Sequence, residues 1–364
     1  MGKRQHQIDT IRVVAMVMVF MNHAILIQHA GEWGGRFFDR YCSYGLYAVE
    51  FFIILSGTLA SYNYHPFDIK DSKLYWGYIA RKAARLLPVH WLCLLAFLPM
   101  SFAFYDSSQV WKSAFMSAFL LQSLAPSTVM AVNGPAWTIS VLMVFYLLTP
   151  LAMNALSRVR KPYIYVVLAL VLLVAEHFWS TWLRDTFPTD PWYYHSSPHA
   201  RIFTYAIGLT LGCIIKTIPP PESICRSVWT MLEIAVSGGC IAVGILLYKQ
   251  YLCVYSMIVL LIYVTWWGKG RMSLLLGARW LCKVSSLSYS FYMIHFLFIN
   301  LSLYIYLKAW GDISSIEPHI AVALTLASLV LSVIGAWALH RYVEGAGFGN
   351  RLLSIMTNHN MQIQ

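Results

Sequence analysis

Charge is scarce in this chain. Only 11% of its 364 residues are Asp, Glu, Lys or Arg, against roughly a quarter in an average soluble domain. The acidic sign is the scarcer, with 15 residues against 26 basic ones. With 59% hydrophobic residues, this balance excludes a soluble globular enzyme, a disordered chain and a nucleic-acid-binding domain. Cysteine motifs are also lacking. Cys42, Cys93, Cys213, Cys225, Cys240, Cys253 and Cys282 form no CxxC pair and no framework spacing, and most lie inside apolar runs. They are expected as buried apolar fillers. No segment repeats at a fixed period, and no low-complexity tract breaks the chain.

What the sequence has in place of charge is apolar length. The mean hydropathy is +0.60, and 14 Trp and 23 Tyr accompany it; together they describe a polytopic membrane protein. Stretches able to span run near 8–27, 44–62, 86–105, 136–156, 163–183, 201–216, 228–248, 251–267, 284–307 and 319–340. A further stretch at 110–125 is short, carries Lys112 and Gln122, and suits a re-entrant or interfacial helix. The start does not read as a cleaved signal: Asn22 and His23 interrupt its apolar run and no small-residue cleavage pattern follows.

Basic residues orient the bundle. With ten spans and a cytoplasmic N-terminus, only seven of the 26 Lys and Arg face outward: Arg36, Arg40, Lys112, Arg184, Arg201, Lys249 and Lys308. That bias follows the positive-inside rule. Were 110–125 to span, Arg158, Arg160, Lys161 and the basic loop 269–283 would face outward instead. The expected fold is therefore an all-α polytopic membrane protein of about ten transmembrane helices, both termini cytoplasmic. Residues 1–345 form a single transmembrane domain and 346–364 a short cytoplasmic tail. Linkers are short, and Pro219–Pro221 makes a stiff cytoplasmic turn. Chemistry is thereby confined to the membrane and its faces.

Ionisable residues inside apolar runs cost about 2.5–3.5 kcal/mol each on insertion scales, which makes them functional candidates. Arg12 and His23 are separated by eleven positions in the first span, about 16 Å along a helix. Arg12 at the inner headgroups, as a snorkelling anchor or a ligand-binding group, puts His23 near mid-membrane. Glu50 in YGLYAVEFFIILSG and His295 in SSLSYSFYMIHFLFI fall at comparable depth on two other helices. The three could share one polar site, or make three unrelated interhelical hydrogen bonds. Glu176, His177 and Glu233 suit interfacial pairing better, and His90 fits either reading. In YIARKAARLLPVHW, Arg81, Lys82 and Arg85 lie within about one helical turn, a cytoplasmic cationic face. It serves either simple anchoring or binding of a polyanion such as a nucleotide phosphate.

At these positions the chain resembles the bacterial acyltransferase-3 family of membrane O-acyltransferases. Six motifs coincide in order. RQHQIDTIRVVAMVMVFMNH resembles the opening helix with its basic residue and distal His, here Arg12 and His23. VEFFIILSGTLAS resembles the second helix through Phe51, Phe52, Ser56 and Gly57. ARKAARLLPVHW carries the basic pair, with Lys82 in the place of the first Arg, then Arg85 and Pro88. GPAWTISVLMVFYLLTP matches through Trp137, Tyr146 and Pro150. SSLSYSFYMIHF matches through Ser288, Tyr289, Tyr292 and His295, and LHRYVEG through Arg341 and Glu344. The chain departs from the pattern at Leu142, where the family usually has Glu, and at Gly345, where Pro often follows the closing Glu. The resemblance covers the membrane domain alone, so no soluble esterase-like extension, as some members have, is expected.

The resemblance implies a stand-alone enzyme of the bacterial inner membrane, taking an acyl group, usually acetyl, from cytoplasmic acetyl-CoA to a hydroxyl of a surface or periplasmic glycan. On that reading Arg12, Arg81, Lys82 and Arg85 hold the acyl-CoA. His23 is general base or transient nucleophile, Glu50 steadies the imidazolium, and His295 handles a proton or the oxyanion. Trp137, Ser288, Tyr289 and Tyr292 line the acceptor side. No permanently bound cofactor and no metal are expected, and the partners are acyl-CoA, a glycan acceptor and the bilayer, with no nucleic acid. The competing reading is a proton-coupled transporter or flippase, for which buried ionisable groups serve equally well. Against it stand the absence of an inverted repeat in the sequence and the tight localisation of the basic cluster.

Overall fold

The computed structural model describes residues 6–247, 250–345 and 347–356. Lys249, counted above for orientation, and 357–364 of the expected tail lie outside them. Among the described residues, sixteen α-helices follow one another. They are α1 (His6–Asn22), α2 (Ile25–Gln28), α3 (Gly31–Phe37), α4 (Gly45–Tyr64), α5 (Ser72–Phe104), α6 (Ser107–Ala118), α7 (Trp137–Leu156) and α8 (Tyr163–Thr186). Then come α9 (Ile202–Thr217), α10 (Arg226–Leu246), α11 (Tyr251–Trp267), α12 (Arg271–Leu276), α13 (Arg279–Ser286), α14 (Ser288–Trp310), α15 (Pro318–Leu339) and α16 (Phe348–Met356). No strand occurs among the described residues.

Among the described residues, eight helical stretches are long and apolar enough to cross a membrane: Gly31–Tyr64, Ser72–Phe104, Gly134–Leu156, Tyr163–Thr186, His199–Thr217, Arg226–Leu246, Ser288–Trp310 and Pro318–Glu344. Tyr251–Trp267 is a shorter apolar helix. The protein is an all-α polytopic membrane protein. Ten spans are expected from the sequence; the expected first one, 8–27, is not among these eight, and the 44–62 span is part of a longer helical stretch from Gly31. Two boundaries differ most. The first helix stops at Asn22 rather than running to 27, and α5 starts at Ser72, so that Arg81, Lys82 and Arg85 lie within it and the helix continues through Pro88 and Pro99.

By contacts the chain forms two compact units. The first comprises Met1–Ala15, Tyr47–Leu74 and Val144–Ser285. Here α8 packs on α9, and α10 on α11. The crossing of α4 and α9 is made by small residues spaced four apart, Gly57 and Ser61 against Gly208 and Gly212, which lets two backbones touch. A Cβ on Gly57 would lie 2.6 Å from the Tyr205 carbonyl oxygen. Glu233, one of the expected interfacial pairs, caps the start of α12: its carboxylate accepts from the amides of Gly270 (2.9 Å) and Ser273 (3.1 Å).

The second unit comprises Met16–Leu46, Tyr75–Met143 and Ser286–Gln364. Its frame is α14 packed along α15, with the short α2 against α15. Of the 110–125 stretch, residues 110–118 belong to α6, a twelve-residue helix capped at its start by the Asp106 carboxylate, and the rest is a turn with one short 3-10 segment. At about 1.5 Å per residue α6 cannot span a bilayer. Its last carbonyls are satisfied from α5, by His90 Nε2 to Ser117 (2.7 Å) and Trp91 Nε1 to Ala118 (2.8 Å). His90 is therefore a docking residue. The segment ahead of α7 is tied to α14 by Asn133 Nδ2, donating to the Met293 carbonyl (2.9 Å), and by Tyr292 Oη, donating to that of Pro135 (2.9 Å).

Candidate active site

His23 stands where α1 ends. A continuing helix would give the amide of residue 23 to the carbonyl of Val19. Instead the amides of His23 and Ala24 close tighter turns onto Phe20 (3.0 Å) and Met21 (3.1 Å). The Val19 carbonyl so released is taken by His23's own Nδ1 at 2.8 Å. The imidazole thus satisfies the backbone that its own turn leaves open. The chain needs room here, and Gly45 provides it: a Cβ there would strike the Met18 carbonyl and the Cβ of Asn22.

His295 lies mid-helix in α14 and is completely buried. Its Nδ1 faces the carbonyls of Tyr292 (2.8 Å) and Phe291 (3.2 Å). A carbonyl only accepts, so in both neutral rings Nδ1 carries the hydrogen and Nε2 keeps the lone pair. His295 Nε2 points at His23 Nδ1, 3.4 Å away. The arrangement is directional: His295 receives a share of the His23 N–H, and the Nε2 of His23 is left as the basic nitrogen. His23 is only partly buried. Phe20, Phe291 and Phe296 wall the pair, with Phe291 stacked on His295 at a 4° interplanar angle. The structure thus brings together two of the three residues expected at the catalytic centre.

Glu50 takes a different partner from the one anticipated. It lies in the first unit, where its Oε1 is 2.5 Å from Nη1 of Arg201, both side chains being 6% exposed. Arg201 also donates through Nε to the His195 carbonyl (2.8 Å) and through Nη2 to His195 Nδ1 (2.9 Å). Glu176 lies within the field of the same guanidinium, and its Oε1 accepts from Ser180 (2.7 Å). Arg201, counted above as an outward loop cation, is therefore a buried counter-ion. The signal was Glu50 itself, since a carboxylate buried in an apolar span is stabilised by a nearby cation.

The acceptor-side residues also read differently in three dimensions. Trp137 is 4% exposed at the head of α7, too enclosed to offer a ring face to a sugar. Tyr292 spends its hydroxyl on Pro135 and on Thr138 (2.6 Å), and Tyr289 donates to the Leu86 carbonyl of α5 (2.6 Å). Ser288 is buried at the start of α14. These residues hold α5, α7 and α14 in register. Leu142, standing where the family's Glu would be, is buried too.

The basic residues divide. Arg12 belongs to the first unit and pairs with Asp9 at 3.5 Å. In the second unit Arg81 and Arg85 line a cavity of about 450 Å3, together with Pro88, His340, Glu344 and Asn350. Lys82 is not among its lining residues, and its Nζ sits 5.5 Å from the Tyr78 ring centroid. Glu344 accepts from the Ser290 hydroxyl and from His340 Nδ1 (3.2 Å). Neither imidazole of the pair lines this cavity. Ser290 nevertheless connects the two places, because His295 is five residues further along α14, about 7.5 Å of helix rise.

The second unit of this helical membrane protein thus holds an imidazole pair in an apolar setting and an arginine-lined cavity, groups suited to proton transfer and to anion binding. Residues 5–341 match the acyltransferase-3 domain model, described as an acyltransferase domain. The chain belongs to the acyltransferase-3 family. It is similar to the acyltransferase MdmB of Streptomyces mycarofaciens, with 24% identity over 369 aligned residues, covering 92% of this chain and 89% of that one. No solved structure matches.

Proposed function

We propose that this acyltransferase moves an acetyl group from cytoplasmic acetyl-CoA to a hydroxyl of a bacterial surface or periplasmic glycan, free or lipid-linked, at the inner membrane. The observation that carries the reading is the His23–His295 pair, in which one imidazole is oriented by backbone and by its neighbour while its Nε2 stays available. His23 Nε2 takes the proton of the acceptor hydroxyl as that oxygen attacks the thioester carbonyl. A C–O bond forms and the C–S bond breaks. Coenzyme A leaves as the thiolate, which recovers the proton from the His23 imidazolium, so the ring returns to its starting state. His295 is a positioning residue, since it is fully buried and acts through His23. Arg81 and Arg85 meet the phosphates of the donor with planar, bidentate groups.

The test is coenzyme A release from acetyl-CoA by the purified protein in liposomes, with a glycan acceptor inside. His23→Ala is expected to lower kcat about 10²- to 10⁴-fold, the usual worth of a general base, with the protein still folded. Undiminished release in that variant would remove His23 from the chemistry. Solute movement across the liposome without any release would favour the transporter reading.

A further inference from the structure

The sequence after Gly345 reads as a tail outside the catalytic domain, but Phe348–Met356 forms α16 and docks on α5. Ala80 and Ala84 of α5 pack against Leu353, with Leu352 beside them. Pro88 has no amide to offer the carbonyl of Ala84 four residues back. Gly349 sits over that carbonyl, where a Cβ would come within 2.8 Å of the oxygen. Ala84 stands between Arg81 and Arg85 along α5. A helix seated on the alanines must therefore stand beside the two guanidiniums. The cavity of about 450 Å3 is the space between them, with the arginines on α5 and Gly347, Gly349 and Asn350 from the C-terminal segment.

We propose that α16 forms one wall of the site for the nucleotide end of the acyl donor, and that Asn350 is a specificity residue there. The inference rests on the acyl-CoA-dependent reading above. The cavity lies within the usual range of about 300–1,000 Å3 for small-molecule sites, and its chemistry is mixed as a nucleotide requires. Guanidiniums suit phosphates. A carboxamide presents a donor and an acceptor together, the complement of the amino group and ring nitrogen on an adenine edge. Glu344 also lines the cavity, and its charge is engaged by Ser290 and His340.

The experiment compares KM for acetyl-CoA with KM for acetyl-pantetheine, which lacks the nucleotide, using the full-length protein in liposomes. Asn350→Ala is expected to raise KM for acetyl-CoA about tenfold, the worth of a lost hydrogen-bonding partner. Gly349→Leu raises it further. In both, KM for acetyl-pantetheine changes less than twofold. Equal shifts for both donors would make α16 a support of the fold only, and unchanged KM for acetyl-CoA would remove it from the site; either result overturns the proposal. If the unaltered protein used neither donor, the acyl-CoA reading itself would fail and this inference with it.

Discussion

Removing Arg201 is the sharpest perturbation of the first unit. Its guanidinium is 6% exposed and meets Glu50 at 2.5 Å, with Glu176 also in its field. Arg201→Met leaves two buried carboxylates without a cation and the His195 carbonyl without its donor. Breaking a buried pair from one side costs about 3–5 kcal/mol, which is about 10²- to 10⁴-fold in the folded-to-unfolded ratio. Glu50→Gln is the milder change, because Arg201 retains Glu176 as a counter-ion and the amide oxygen can still accept. A loss of about 1–3 kcal/mol is expected for it. The double variant should be more stable than Arg201→Met alone by about 2 kcal/mol, since the charge that lacked a partner is gone. Adding Glu176→Gln recovers more. The measurement is unfolding in mixed micelles titrated with dodecyl sulfate, followed by tryptophan fluorescence, with the four variants read as a mutant cycle. Additive losses would refute the coupling. So would an Arg201→Met protein as stable as Glu50→Gln.

Three further outcomes follow from other parts of the molecule. Gly208→Val should destabilise the α4–α9 crossing, since its side chain would meet the Ile54 backbone; overpacking of this kind costs about 1–3 kcal/mol, and Gly244→Ala, where a Cβ would meet nothing within 4 Å, is the control in the same unfolding titration. His65 lies just beyond α4, and burial, aided by the charge of Lys216, holds its pKa below the ordinary 6.5. The unfolded chain therefore binds a proton that the folded protein resists, and stability should fall as pH drops below about 6.5; thermal unfolding in detergent between pH 8 and 5.5 should show that fall, reduced in His65→Gln, and an identical slope in the variant would contradict it. Arg85→Gln should raise KM for acetyl-CoA more than it lowers kcat, because a phosphate contact binds ground and transition states alike; a loss confined to kcat would place Arg85 elsewhere in the cycle.

How much of this was legible in advance varies by element. Membrane spans are a local property: a run of about 20 apolar residues has few alternatives to a helix in lipid, so α8, α10 and α15 lie close to where hydropathy puts them. His23 and His295 stood out for the same reason, as polar groups in apolar runs. The break after Asn22 did not, because nothing in MVFMNHAILI departs from a continuous helix. It depends on an imidazole replacing a backbone amide at the Val19 carbonyl, and on a glycine from α4 leaving room.

Composition and order of residues, by themselves, determined that this chain is a helical membrane protein and marked which buried side chains could carry chemistry, since both follow from the cost of placing each residue in hydrocarbon. Tertiary structure alone decided the partners. Glu50 finds Arg201 rather than a histidine, Lys82 leaves the cavity to Arg81 and Arg85, and α16 lies on the alanine face of α5. Ion pairing and helix docking join residues far apart in the chain, and which of several chemically suitable partners is reached is settled only when the helices pack.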